Sequence, residues 1–173
     1  CVLWGAVDWD GCIWIYRELY QTKLTAENLA DTILALESND PDMYLSVLDK
    51  SCWNRTGTGR SIAMTMIEKG LRWIPSNSDR MQGKQEIHKR LQLDDAAQPR
   101  IRILSTCTNL IRTLPSLPMS KTNSEDVDTK AEDHAYDALR YMLMTQQSNR
   151  PFIPSFFRGA QQTHQINDQV FGY

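Results

Sequence analysis

The sequence predicts a mixed α/β domain whose sheet opens with an antiparallel hairpin and is flanked by helices. Three observations carry that expectation. Two β-rich runs, Val2 to Val7 and Cys12 to Tyr20, are separated by Asp8-Trp9-Asp10-Gly11, and Asp-Gly is a strong hairpin signal. Beyond the hairpin, short apolar runs alternate with segments of helical period. Near the end, Ala135, Ala138, Leu139, Met142 and Leu143 recur at the spacing of one buried helix face.

The elements follow in order. Thr25 is placed to cap a helix from about Ala26 to Leu36, with Leu29, Ile33 and Leu34 on its apolar side, and T-x-x-N is an imperfect capping box. After Asn39-Asp40-Pro41, Met43 to Leu48 reads as a buried strand that stops at Asp49 and lies in the sheet interior. A polar loop from Asn54 to Gly59 leads to a helix near Ser61 to Lys69, and Gly70 stands where a helix C-terminus favours glycine. Leu71 to Pro75 reads as a short strand, Arg80 to Leu91 as loosely helical, and Ile101 to Leu104 as a strand. Asn109 to Leu114 predicts a short helix closed by Pro115. The polar, acidic stretch Ser120 to Lys130 reads as mobile. The expected domain covers residues 1–148, and the Gln-rich tail, 149–173, reads as an extended or disordered appendage.

A length of 173 residues with 41% hydrophobic content suits one domain with a proper core. The net charge of -2 gives no global attraction for nucleic acid, so any polyanion must be held by a local basic patch. Cys1, Cys12, Cys52 and Cys107 form no CxxC pair, which argues against a zinc site or disulfide framework and fits a reducing cytoplasm. No apolar run approaches the ~18 residues that span a bilayer, no signal peptide is visible, and no membrane partner is expected. The first residue is Cys1 rather than Met, and it leads straight into a strand, so the chain reads as a piece of something longer.

Asp133, His134 and Asp137 fall within one helical turn of each other at the start of the last helix. Acids there either complement the helix dipole or hold a divalent cation against a sheet edge. Asp49, at the end of an apolar strand, either starts a turn or occupies the strand end where open α/β sheets place ligands. Phosphodiester hydrolysis needs carboxylates from different elements converging on hard cations. Arg55 and Arg60 flank the Thr56-Gly57-Thr58-Gly59 loop beyond Asp49, and Arg80, Lys84, Lys89 and Arg90 form a second basic group. For Arg55, Arg60, Arg80 and Lys84, phosphate contact and solvated surface are the two readings, while Lys89 and Arg90 read as surface. Trp4, Trp14, Trp53 and Trp73 read as core, with Trp53 open as a site residue because Asp49 is near.

The succession Asp8-Trp9-Asp10-Gly11, Tyr16-Arg17-Glu18-Leu19-Tyr20, Leu24-Thr25-Ala26-Glu27 and Asp49-Lys50-Ser51-Cys52-Trp53 resembles the nuclease domain of tailed-bacteriophage terminase large subunits. So do Gly70 to Pro75 with Ser78-Asp79-Arg80 and Gly83, and above all Asp133-His134-Ala135-Tyr136-Asp137-Ala138-Leu139-Arg140-Tyr141. The resemblance runs from about Val2 to Met144. It implies a ribonuclease H-like mixed sheet and a metal-dependent endonuclease that cuts double-stranded DNA during genome packaging, using Mg²⁺ or Mn²⁺. By position Asp49 matches the acid at the central strand end and Asp137 the acid on the last helix, with Asp133 and His134 beside the metals. In the alternatives, Asp133 caps the helix and His134 orients a phosphate.

The family's first catalytic Asp ends a strand just before this hairpin, so the resemblance implies that the first strand and its acid are missing here. Asp8 and Asp10 lie in the turn, and the family uses the Glu18 position structurally. No GxxxxGK[ST] motif is present, so the ATPase motor is expected as a separate partner domain, alongside the small terminase subunit and the portal, in the host cytoplasm. Two rival readings stand: a non-catalytic DNA-gripping or portal-docking module, and another ribonuclease H-like nuclease such as a resolvase or transposase domain.

Overall fold

The computed structural model describes residues 1–148 apart from positions 42, 44, 56, 58, 119–126, 129 and 130, and side chains only as far as 145. The expectations for Ser120 to Lys130 as a whole and for the tail beyond 148 therefore lie outside the described residues.

Strands β1 (Val2–Val7) and β2 (Ile13–Leu19) form the expected hairpin. Asp8 organises its turn: the carboxylate Oδ1 accepts the amides of Asp10 (3.1 Å) and Cys12 (2.8 Å), and Gly11 takes a φ of +78°. The register shifts between Trp4 and Gly5, which leaves Tyr16 as the extra residue of a bulge. The third strand of this sheet runs parallel to β2, pairing Ile13 with Ile101 and Ile15 with Ile103.

Helix α1 (Ala26–Glu37) begins where the cap predicts, the Thr25 hydroxyl accepting the Asn28 amide at 3.2 Å. Strand β3 is shorter than expected. Only Val47–Leu48 is strand, and Asp42 and Tyr44 lie outside the described residues. It pairs in parallel with β4 (Ile74–Pro75) as a separate two-stranded sheet, so the expectation of an interior strand is corrected. At the two ends of the pair Ile74 N donates to Ser46 O (3.0 Å) and Ser76 N to Leu48 O (2.8 Å), with Pro75, which has no N–H, between them.

Helix α2 (Ile62–Glu68) is capped by the Ser61 hydroxyl and closed by Gly70 at φ +109°. Helix α3 (Arg80–Leu91) is capped by Asp79, whose Oδ1 accepts the Gln82 amide at 2.9 Å. Strand β5 (Ile101–Ile103), helix α4 (Thr108–Thr113) with a 3₁₀ turn at Leu114–Ser116, and helix α5 (His134–Ser148) complete the order. Among the described residues no helix is long and apolar enough to cross a membrane.

The three-stranded sheet has a core on each face. On one, Ile13, Ile15 and Ile101 pack with Ile87 of α3, Leu110 of α4 and Ala135, Leu139 and Leu143 of α5. On the other, Trp4 and Tyr16 meet Ala30 and Ile33 of α1, Met66 of α2 and Leu71. Trp14 departs from the core expectation. It is 36% exposed beside Ala6 on β1, stacked under Arg102 of β5 at 4.9 Å, because α1 covers only the other half of that face.

Glu18 ties the sheet to α4. Its Oε1 accepts the Asn109 amide and side-chain Nδ2 (both 2.8 Å) and Oε2 accepts the Leu110 amide at 2.8 Å, so it satisfies first-turn donors from a neighbouring strand. Replacing Glu18 with Ala strips those donors of an anionic acceptor and is expected to cost about 2 kcal/mol, read as a lower urea midpoint with unchanged m-value. An unchanged midpoint would show that water replaces the carboxylate at no cost.

Candidate functional site

Helix α5 brings the predicted acids to one place because it packs against α3, α4, β1 and β3 together. Its apolar stripe fixes its rotation, and that rotation turns Asp137, Ala138 and Tyr141 toward a cleft of about 360 Å³ between β1 and β3. The cleft is walled by β1 from Val2 to Gly5, by 45–49 on and around β3, by Glu37 at the end of α1, and by His134, Asp137 and Tyr141 of α5. Both walls are sheet edges, since β1 ends the order β1-β2-β5 and β3 belongs to the separate pair.

Asp49 leaves β3 as the cap of a 3₁₀ turn at Lys50–Trp53, with Oδ1 accepting the Ser51 amide at 2.8 Å. The Ser76 hydroxyl, accepting the Lys50 amide at 3.1 Å, pins the same corner. Oδ2 of Asp49 accepts the Tyr141 hydroxyl at 3.0 Å across a sequence separation of 92 residues. Burial, then the Asp137 carboxylate, push the Tyr141 phenol up to about 12.

Asp137 receives Nε (3.2 Å) and Nη2 (2.9 Å) of Arg140 on Oδ1, with Arg80 Nη1 of α3 at 3.9 Å from the same oxygen. Its Oδ2 carries no hydrogen bond to a described residue. Asp133 is 8% exposed at the foot of α5, where its carbonyl accepts the Asp137 amide at 2.8 Å. Burial, then the neighbouring Asp137 charge, hold the Asp133 carboxyl above the usual carboxylate range. His134 is exposed, and its Nδ1 stands 3.8 Å from Asp133 Oδ1.

The start of α5 is anchored by Glu132, which accepts Arg112 on both oxygens (2.8 and 2.7 Å) and the Tyr20 hydroxyl at 2.7 Å. Arg112, then Tyr20, lower the Glu132 carboxyl to about 2.

The structure thus gathers Asp49, His134 and Asp137 on one cleft, sets Arg80 against Asp137, and leaves Asp133 beside the cleft rather than on its wall. Lys84 follows one turn after Arg80 on α3. Arg60 instead pairs with Glu68 at 2.6 Å, and exposed Arg55 bridges through its backbone to Ser61; neither lines the cleft. Trp53 lies on the 3₁₀ turn with a buried indole N–H that has no hydrogen-bond partner among the described residues.

The donors suit a hard cation in type and are few in number. Among the described residues no three His, Cys, Asp or Glu side chains converge as a cage. Mg²⁺ is commonly held by one or two carboxylates with water and substrate oxygens, and Asp49 and Asp137 are carboxylates on the same cleft. Sequence reasoning assigns no role to Arg140, Tyr141, Tyr20, Arg112 or Glu132. Arg140 and Tyr141 stand inside the family-like stretch, and that is their sole signal.

Comparison with known proteins finds no family model, no curated protein and no solved structure that matches the chain.

The raised Asp133 carboxyl sets the sign of a pH effect. A folded-state pKa above the unfolded value means that the charged form is disfavoured by folding, so the cost is fully present above the folded pKa and vanishes below the unfolded one. Asp133→Asn is therefore expected to raise Tm at pH 7, with the gain shrinking as pH falls toward the ordinary value of 3.8. Thermal melts of the two proteins from pH 7 to 3 check this, and a gain that grows on acidification would contradict it.

Proposed function

We propose that this chain is the nuclease domain of a phage terminase large subunit, ribonuclease H-like in fold, which cuts double-stranded DNA with Mg²⁺ or Mn²⁺ during genome packaging. The observation that supports the reading is the meeting of Asp49 and Asp137 on one cleft, the first at a strand end and the second on the last helix. Asp49 and Asp137 would hold the cations, and Arg80 and Lys84 on α3 would contact the DNA backbone beside them. The bound metals would supply an activated water and stabilise the leaving oxygen. Contacts mainly to the backbone would leave cutting nearly indifferent to sequence. In the same proposal the motor ATPase domain, the small terminase subunit and the portal are partners, and the site of action is the host cytoplasm.

The edges of β1 and β3, each without a strand partner on its cleft side among the described residues, support the expectation of a further strand. An extended segment between β1 and β3 would join the sheets into one and bring a further carboxylate to the cleft. Without it, Asp49 and Asp137 lack the third carboxylate that the resemblance implies for a second cation, since the other acid on the cleft, Glu37, accepts the Trp4 indole N–H at 2.7 Å. The 173-residue chain is accordingly expected to nick plasmid slowly or not at all with Mn²⁺, and a chain extended by its natural upstream residues to cut. Asp137→Asn in the extended chain should abolish cutting. Cutting by the shorter chain equal to that of the longer one would place the full carboxylate set inside residues 1–173.

One observation favours the rival, a DNA-gripping module with structural acids: Asp137 is also the counter-ion of buried Arg140. Both readings share a prediction for DNA. Duplex binding should be weak and fall steeply with salt, and Arg55→Ala with Arg60→Ala should flatten the salt slope by about 1 for each phosphate that is no longer neutralised. Fluorescence anisotropy across a salt series reads this, and an unaltered slope would remove the loop arginines from the interface.

A further inference from the structure

Two consecutive residues of α5 reach two of the three acids on the cleft, Asp137 and Asp49, by opposite routes. Arg140 reaches back one turn along its own helix and grips Asp137 Oδ1 through Nε and Nη2. Tyr141 reaches across to the other wall and donates to Asp49 Oδ2 at 3.0 Å. The pair is itself coupled, with the Arg140 guanidinium 4.5 Å from the centre of the Tyr141 ring.

Packing gives this pair little freedom. The Arg140 side chain is 2% exposed, and its Cγ and Cδ lie where a Cβ on Gly83 of α3 would stand. Any side chain at position 83 would force the Arg140 stem to shift. The third guanidinium nitrogen, Nη1, is buried with no hydrogen-bond partner among the described residues, so Arg140 is held by packing and by its fork on Asp137.

We infer that Arg140 and Tyr141 are positioning residues that set the carboxylates of Asp137 and Asp49 to receive one cation. The inference rests on the proposed metal-dependent function. Arg140 engages Asp137 through Oδ1 alone, and Oδ2 carries no hydrogen bond to a described residue. On Asp49 the Ser51 amide takes Oδ1 and the Tyr141 hydroxyl Oδ2, so the carboxylate plane is fixed and each oxygen keeps one lone pair for a cation. Partners of this kind around metal ligands typically change affinity by ~10–100-fold when removed.

The test uses Tb³⁺, whose luminescence is sensitised by nearby aromatic side chains, titrated into the 173-residue chain with Mn²⁺ as competitor. The variants are Asp49→Asn, Asp137→Asn, Tyr141→Phe and Arg140→Lys, with a thermal melt of each. Tyr141→Phe keeps the ring and its stacking, and Arg140→Lys keeps the charge while losing the fork, so both isolate geometry from net charge. The expected result is a Tb³⁺ midpoint raised by ~10-fold or more in both positioning variants, at a Tm near wild type for Tyr141→Phe. If the two Asn variants weaken binding and both positioning variants stay within about twofold, the positioning role is wrong and the metal reading stands. Should the Asn variants also leave the midpoint unmoved, the cation site itself fails and the positioning role falls with it. If Arg140→Lys does not fold, Tyr141→Phe alone decides, since it removes one oxygen from a half-exposed ring.

Discussion

The burial of Arg140 over Gly83 is the constraint on which the site depends. A guanidinium that is nearly inaccessible to water is tolerated only with an anion at hand, and Asp137 one turn earlier supplies it. The arginine's methylene stem also needs room, and α3 gives that room by carrying glycine where α5 passes closest. Helix spacing, the rotation of α5 and the position of Asp137 are therefore set together. Arg80, on the same helix as Gly83, arrives beside Asp137 as a consequence.

A second consequence concerns the sheets. Helix α5 touches β1 with the face that carries Met142 and reaches β3 through Tyr141, so it bridges two sheets that share no hydrogen bond among the described residues. Gly5 fits this passage, since a Cβ there would stand 2.8 Å from Met142 Sδ. The bridge leaves a cleft flanked by two strand edges that are unpaired among the described residues, with polar groups drawn from α5, from the corner after β3 and from Glu37 at the end of α1. Open edges are usually covered or blunted in a stable fold. A cleft that keeps two of them facing each other is suited to receiving an extended segment.

What can be read from the sequence is local chemistry. The Asp8–Gly11 turn, the Thr25 cap and Gly70 each act within a few residues, and each element forms where its signal stands. Strand β3 is shorter than its largely apolar run suggests because a short apolar run says nothing about whether a partner edge exists, and pairing is a property of the whole sheet. Trp14 escapes the core for a similar reason: alternation tells which face a side chain takes, not whether a helix covers it. For the site, helical spacing groups Asp133, His134 and Asp137, but it cannot show that Asp133 is buried beside the cleft. The Tyr141–Asp49 bond joins positions with no local relation, and an arginine in an apolar helix reads as a surface residue until its counter-ion is seen.

Asp137 thus serves two demands that pull in different directions. As counter-ion it must stay charged and hold Arg140, and as a ligand it must offer an oxygen to the cleft. The geometry divides the labour between its oxygens, Oδ1 taking both arginines and Oδ2 carrying no bond to a described residue. An asparagine at this position can still accept the Arg140 fork on its carbonyl oxygen, but it brings no negative charge for a cation. An alanine would leave a buried guanidinium without an acceptor, a loss of ~3–5 kcal/mol for a fully buried pair. The amide therefore keeps the hydrogen-bonded part of the structural role and gives up the counter-charge. A structural acid and a ligand are told apart by reading two quantities on that variant, since loss of the counter-ion lowers stability and loss of a ligand lowers cation affinity as well.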